Sequence, residues 1–296
     1  MKKLFIAAIA IAALASCNKD QVINFDKFPI NFGDAFVDNA TKAIYEGDTK
    51  VDAFKVWGTV TGNGNTVLIF DGADVTRTKS GSADKNYGEA WYCDVTRYWT
   101  PSCTYNFTAI VDATSVAPTN GTMPTAINYT ATGENDLLLG TQTATTMGGA
   151  TPTNPVAFTM NHLLSKMYFE VVSGLESPYT INVTNIVVSN LQQKGIYTIE
   201  GEKWEKDGEA TTSFDFIDGA KVIIPVVQTL NVAITYDVLF DGTTISQGVT
   251  KTGTIPATTY AENTVYKVSA TIGLTEIQFS ISEVEGFGTG SDVTVQ

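Results

Sequence analysis

Apolar and polar residues alternate along most of this chain in short runs, which is the period of β-strands rather than of helices. Thr, Val, Ile, Tyr and Phe dominate these runs, and Gly, Asn, Asp and Pro separate them. The clearest predicted strands are 51–60, 67–70, 180–189, 221–227, 231–240 and 243–252. Many short strands joined by turn residues favour an all-β chain made of antiparallel sandwiches over α/β units.

Turn signals support this interpretation at three places. The segment 62–65 reads Gly-Asn-Gly-Asn and predicts a turn between the first two strands. Asp241-Gly242 lies between two apolar runs and predicts a hairpin, and Asp71-Gly72 is a dipeptide of the same type.

The weakest patterning lies between Gly140 and Val156, where small, flexible and Pro-containing residues replace core formers. We therefore predict two β-sandwich domains, an N-terminal one over 20–150 and a C-terminal one over 156–296. The alternative is a long loop inside one large sandwich.

The start of the chain has the order of an export signal. Met1-Lys2-Lys3 is basic, residues 4–14 are almost wholly apolar, and Leu-Ala-Ser-Cys ends at Cys17. Residues 1–16 are therefore predicted to be a lipoprotein signal peptide, because this ending resembles a bacterial lipobox, in which the cysteine is acylated. The alternative is an ordinary signal peptide that ends near a cysteine.

The net charge of the chain argues against two kinds of partner. Without Lys2 and Lys3 the chain has 16 basic and 31 acidic residues, a formal charge of −15. Such an acidic surface argues against binding to nucleic acid and against electrostatic docking on anionic lipid.

Catalysis finds little support in the sequence. His162 is the single histidine, and its apolar neighbours favour a hydrogen-bonded core residue over a catalytic one. We find no catalytic residues, no metal motif and no cofactor-binding fingerprint, so neither a metal nor a cofactor is predicted. Acidic pairs such as Glu283 and Glu285 leave a hydrolase as the weakest hypothesis.

Two further features have two interpretations each. Cys93 and Cys103 either form a disulfide in an oxidising compartment or stay separate, buried thiols. The aromatic segment 91–101 either offers a platform for a sugar or protein partner or packs one face of a strand, and packing is the more common outcome.

Motifs in the same order along most of the chain make it similar to a known family. They read PINFG (29–33), NATKA (39–43), FKVWG (54–58), RYW (97–99), YNFTA (105–109), FTMNHLLSKM (158–167) and NTVYKV (263–268). With the lipobox, they resemble the fimbrillins, the FimA/Mfa-like type V pilins that are made as lipoprotein precursors.

The resemblance implies a fold and a mechanism. The fold is two β-sandwich domains of transthyretin-like topology. A surface protease cuts after a basic residue behind the first strand, and a segment of another subunit fills the apolar groove that this strand leaves. The implied partners are other copies or related fimbrial subunits, the outer membrane through lipid on Cys17, and a host glycan or protein receptor. The implied location is the outer membrane and the fimbria on the cell surface.

The residues can be assigned to these roles. In the segment 28–36 the removable strand would present Ile30, Phe32 and Phe36 on one face, and Lys42 follows in a polar stretch as the predicted cleavage site. The family's usual residue at the cleavage site is Arg, so Lys42 departs from the pattern.

Two segments near the other end alternate in period two and could be donated to a neighbour. The apolar residues of these candidate donor strands are Ile277, Phe279 and Ile281 in the first and Val293 and Val295 in the second. The alternatives are an ordinary edge strand for the first segment and a frayed tail for the second.

The function that the sequence favours is a cell-surface fimbrial subunit that acts in adhesion and assembles by strand exchange after proteolysis. The alternative is a surface lipoprotein that does not polymerise and binds glycan or host protein, as a fimbrial tip or anchor would. A lipid-tethered hydrolase is a third interpretation.

Overall fold

The computed structural model describes residues 28–37, 51–77, 91–117, 121–145 and 155–284. These residues form nineteen strands and no helix, so the predicted all-β fold class is confirmed. In the described part of the chain, nothing helical is long and apolar enough to cross a membrane.

The first nine strands belong to the N-terminal part. They are β1 (Phe32–Val37), β2 (Ala53–Gly62), β3 (Asn65–Thr76), β4 (Tyr92–Cys93), β5 (Thr104–Val111), β6 (Ser115–Ala117), β7 (Ala126–Thr130), β8 (Leu138–Thr145) and β9 (Val156–His162). Seven of them form the first sheet, in the order β1-β9-β8-β5-β2-β3-β4. Buried residues of this sheet, among them Phe54, Phe70, Phe107 and Phe158, share one apolar core.

Ten strands follow. They are β10 (Ser165–Ser173), β11 (Tyr179–Gln192), β12 (Lys194–Thr198), β13 (Lys203–Lys206), β14 (Ala210–Asp215), β15 (Lys221–Ile223), β16 (Val227–Phe240), β17 (Thr243–Thr259), β18 (Thr264–Ile272) and β19 (Ile277–Val284). Two four-stranded sheets, β15-β10-β18-β19 and β14-β11-β16-β17, enclose a second core that contains side chains of both.

A further sheet, β13-β12-β7-β6, joins the two parts, because β7 pairs with β12 along five residues of each. A third core lies beneath it and includes Ile127, Leu139, Leu164, Trp204 and Ile224. The two-domain division stays a prediction. Strand β9, which follows the predicted boundary, pairs with β1 and β8 of the first sheet.

The turn predictions have mixed outcomes. Asn63-Gly64 and Asp241-Gly242 form the predicted hairpin turns, each with two positive φ angles (51° and 77°, then 49° and 75°). The hairpin prediction at Asp71-Gly72 is wrong. Gly72 has φ +68° inside β3, where the pairing with β2 shifts register opposite Trp57, so the dipeptide makes a β-bulge and the strand continues.

Candidate strand-exchange site

Residues 28–37, which we call the seam segment, contact both edges of the first sheet. Its first part pairs with residues that follow β4: Pro29 forms an antiparallel bridge with Tyr98, and the Ile30 amide donates to the Arg97 carbonyl at 2.8 Å. Its second part is β1, which pairs in parallel with β9 at the opposite edge. The seam segment therefore closes the curled sheet.

The seam segment is anchored by apolar burial. Ile30 and Phe32 are each only 3% exposed. The Phe32 ring is surrounded by four others, with centroid distances of 6.2 Å to Phe54, 5.3 Å to Phe70, 5.9 Å to Phe107 and 6.2 Å to Phe158. Burying each large apolar side chain contributes about 1.5–3 kcal/mol, so the groove would expose a strongly apolar surface without the seam segment.

Past Phe32 the segment does not keep a simple alternation. Its pairing with β9 shifts between Phe32 and Ala35, and Ala35 is fully buried in the same core as Phe32. Ala35 thus takes an inward position that strict alternation assigns to the other face. The predicted inward position of the Phe36 side chain lies outside the described residues.

The backbone comes closest to β9 at Gly33. A Cβ atom there would lie 2.8 Å from Cγ of Pro155, which is shorter than side chains tolerate, so only glycine fits without movement of Pro155. The Val156 amide also donates to the Asn31 carbonyl at 2.8 Å. Sequence reasoning missed this contact, and the Phe-Gly dipeptide at 32–33 was its only local signal.

Strand β9 depends on the seam segment for its backbone partners. Within the described strands, β8 pairs with β9 only at Asn161 and His162, whereas residues 156–160 pair with β1 alone. The side chains of Val156, Phe158 and Met160 point into the first core. Loss of the seam segment would therefore leave one edge of a buried strand without hydrogen-bond partners, which favours pairing with another strand.

The connection behind the seam segment carries the predicted cleavage site. The chain re-enters the described part at Val51, whose amide donates to the Ala35 carbonyl at 3.4 Å. Lys42 lies outside the described residues, as do Cys17, Val293 and Val295. Cleavage, acylation and donation by the last residues remain predictions.

The first candidate donor strand is β19. It forms the edge of its sheet and pairs with β18 at all eight of its residues without a break in register. Ile277, Phe279 and Ile281 are half-buried against the second core, and the Phe279 ring lies over Gly253. In this structure β19 is an edge strand of its own chain, which was the alternative that the sequence left open.

The two cysteines are not joined. Cys93 is a half-buried thiol and Cys103 a buried one, and both pack in the first core. The structure thus has the alternative of two separate thiols. Burial raises the pKa of the Cys93 thiol. Trp91 and Trp99 are buried in the same core, which makes packing the main role of the aromatic segment 91–101, while Tyr98 is 49% exposed.

The single histidine contacts a buried carboxyl group where the two parts meet. His162 Nδ1 lies against Asp136 Oδ2, and both side chains are buried. Burial raises the pKa of the Asp136 carboxyl, while the contact with His162 opposes that rise. Among the residues described, His, Cys, Asp and Glu form no group of three that could hold a metal ion.

Comparison with known proteins agrees with this architecture. A model of the fimbrillin-like family matches residues 41–285. A fimbrial protein from Bacteroides vulgatus is 15% identical with a TM-score of 0.59, and the match covers 86% of this chain and 99% of that one. A candidate cell adhesion protein from Bacteroides uniformis is 14% identical with a TM-score of 0.55, over 87% and 97% of the two chains.

A fimbrial assembly protein from Parabacteroides distasonis is 12% identical with a TM-score of 0.50, over 87% of this chain and 96% of that one. No curated protein matches the chain. These structural likenesses show a shared all-β fold. The family match covers most of the chain, and the chain belongs to the fimbrillin-like family.

Proposed function

We propose that this chain is a fimbrial subunit that acts in adhesion at the cell surface and assembles by exchanging its seam segment for a strand of another subunit. Membership of the fimbrillin-like family supports the fimbrial role. The observation that carries the mechanism is the position of the seam segment, which lies at a sheet edge and still fills the centre of an aromatic core.

The proposal includes the steps before assembly. The chain is exported as a lipoprotein, acylated on Cys17 and held at the outer membrane. Cleavage after Lys42 then separates the seam segment from the rest of the chain, and the segment leaves by breaking its pairing with β9 and the residues around Tyr98. The buried edge of β9 and the exposed aromatic core favour capture of a strand from a second copy.

A disulfide lock tests whether the seam segment is the part that leaves. The Ile30 amide bonds to the Arg97 carbonyl and the Trp99 amide to the Phe28 carbonyl, so Pro29 and Tyr98 form a non-hydrogen-bonded antiparallel pair. Such pairs have Cα atoms about 4.5 Å apart, within the range that a disulfide spans. The double substitution Pro29→Cys and Tyr98→Cys should therefore tie the segment in place.

The purified chain is cut with trypsin, the new N-terminus is identified, and assembly is followed by size-exclusion chromatography and gel electrophoresis without heating. We expect Ala43 as the new first residue, or Val51 where trypsin also cuts after Lys50. The reduced double-cysteine variant should form oligomers, and the same variant should stay monomeric when oxidised. The single Pro29→Cys variant is the matched control and should assemble in both states.

Two results would contradict the proposal in different ways. If the oxidised double variant assembles as well as the reduced one, the seam segment is not exchanged. If the cut chain stays monomeric even when the segment is free to leave, the protein is a surface binder that does not polymerise. A Lys42→Gln variant that trypsin still converts into oligomers would show that cleavage after Lys42 itself is not required.

A further inference from the structure

A cavity lies in the C-terminal part, where the two central strands of a sheet separate. The ladder between β11 and β16 ends at the pair Ser189 and Asn231, although both strands continue beyond it. Asn190 follows with φ +65°, and the pairing of β11 with β14 shifts register at the same place. A cavity of about 400 Å³ is left between these strand ends, the start of β14 and the loop before it.

Side-chain amides bridge the two strands where the ladder has stopped. Asn190 Nδ2 donates to the Thr229 carbonyl at 2.6 Å. The backbone amide of Gln192 donates to Gln228 Oε1 at 2.7 Å, and these two glutamines are only 1% and 4% exposed. Gln192 Nε2 also donates to the Gly208 carbonyl at 3.1 Å and so holds the loop that follows β13. Because these bonds fix the walls, the cavity is formed before any ligand arrives.

The lining of the cavity is polar. It includes three side-chain amides, a threonine, the loop backbone and one side chain of each charge, Lys206 and Glu209. Sites for small molecules measure about 300–1,000 Å³ and are lined mostly by apolar and aromatic side chains. This cavity has a similar volume, but none of its lining residues is aromatic. The lining therefore favours a ligand that makes many hydrogen bonds over an apolar ligand.

One acceptor in the cavity wall is unsatisfied. Within the part of the chain that the structure describes, Gln192 Oε1 is buried and has no hydrogen-bond partner. Buried polar atoms are almost always paired, so this acceptor marks a place for a donor that the protein itself does not supply. A hydroxyl group, of water or of a ligand, supplies such a donor and can accept from another amide at the same time.

We propose that this cavity binds one neutral, hydroxyl-rich ring, which is the chemistry of a sugar unit in a glycan. Hydroxyl groups match the amides of the wall, and the opposite charges of Lys206 and Glu209 do not select an ionised ligand. Val227 also lines the cavity and is 49% exposed, so it offers an apolar surface to the C–H groups of such a ring. The inference rests on the proposed function, because it names the kind of receptor that an adhesive subunit would bind.

The cavity and the strand-exchange site use different parts of the chain. The residues that line the cavity belong to β11, β13, β14, β16 and the loop between β13 and β14. The seam segment instead pairs with β9 and with residues 97–99. Sugar binding should therefore be measurable on the uncut chain, without assembly.

Simple sugars test the ligand class. Methyl glycosides of glucose, galactose, mannose and N-acetylglucosamine are added to the uncut chain and followed by saturation-transfer NMR and calorimetry. At least one should bind with a Kd of about 1 mM or below, and its Kd should not change with salt, because a neutral ligand is not screened. N-acetylneuraminic acid and glycine are the charged probes and should bind more weakly. An array that carries animal glycans and bacterial polysaccharides then identifies the source of the sugar.

Two tryptophan substitutions on β14 form a matched pair that locates the site. Ala210 lines the cavity, whereas Ser213 is exposed on the same strand and is not part of the lining. Ala210→Trp should fill the cavity and weaken sugar binding about tenfold or more, and Ser213→Trp should bind like the unsubstituted chain. Thr229→Trp obstructs the cavity from β16 and replaces Ala210→Trp if thermal unfolding shows that the latter does not fold.

The outcomes separate this inference from the function on which it rests. If none of the glycosides binds, or if binding survives in both Ala210→Trp and Thr229→Trp, the cavity is not a sugar site, and assembly after cutting still decides the proposed function. A loss in Ser213→Trp as large as that in Ala210→Trp overturns the inference as well. Tighter binding of a charged probe than of every glycoside would show that the neutral class is wrong. Sugar binding at the cavity by a chain that does not assemble after cutting would support the inference while strand exchange fails.

Discussion

Truncation of Phe32 tests how much the seam segment contributes to the uncut protein. The ring is 3% exposed and contacts four other aromatic rings in the first core. Replacement by alanine loses about 1.5–3 kcal/mol of burial and adds the cost of a cavity, so Phe32→Ala should lower the free energy of unfolding by about 3–5 kcal/mol. The four neighbouring rings lie on β9 and on three other strands. Because these paired strands hold the walls of the cavity in place, the cavity cannot collapse fully.

The same segment offers a matched control. Phe28 is also in the seam segment but is 44% exposed, so Phe28→Ala should cost about 0.5 kcal/mol or less. Urea unfolding followed by the fluorescence of Trp91 and Trp99 reports on this core. If Phe32→Ala falls within about 1 kcal/mol of Phe28→Ala at an unchanged m-value, Phe32 does not anchor the segment, and the apolar argument for a replacement strand is refuted.

Three other changes probe the C-terminal part and the junction. Asp136→Ala removes the buried hydrogen-bond partner of His162 and should cost about 1–3 kcal/mol in urea unfolding; an unchanged free energy of unfolding would contradict a stabilising contact. Burial, then the charge of Glu202, raises the pKa of Glu262 to about 7, so the folded state holds this proton and loses stability as pH rises from about 4.5 through 7. Glu262→Gln should remove that loss and gain about 1–3 kcal/mol at pH 8 with little gain at pH 4; equal gains at both would be inconsistent with it. Gly242→Val forces a β-branched residue to φ +75° and should cost about 1–2 kcal/mol; an unchanged thermal midpoint would argue against the hairpin turn.

The alternation of apolar and polar residues predicted the strands well, whereas the turn dipeptides predicted the turns less reliably. The predicted strands 231–240 and 243–252 lie within β16 and β17, because alternation and the Asp241-Gly242 turn are encoded in adjacent residues. The same dipeptide at 71–72 misled the prediction. An Asp-Gly pair signals a residue with positive φ, and the chain uses that conformation either to reverse direction or to bulge within a strand.

The candidate site was predictable in part. Ile30 and Phe32 were expected to be apolar anchors, and the structure buries both. Their partners could not be predicted, because residues 28–30 pair with 97–99 and β1 pairs with β9, each across a long stretch of sequence. The shift that buries Ala35 was missed for a related reason: period-two alternation assumes regular pairing, and the irregularity opposite β9 breaks it.

The sheet shared by β7 and β12 gives the molecule a mechanical property. The chain passes from the N-terminal to the C-terminal part at the short turn after His162. A single covalent connection of this kind would let the two parts rotate against each other. The ladder between β7 and β12 adds a second attachment, and Trp204 reinforces the first by donating to the Leu163 carbonyl at 2.7 Å. Two attachments resist rotation of one part against the other, so in the proposed fimbria a pulling force would be carried through both connections of each subunit.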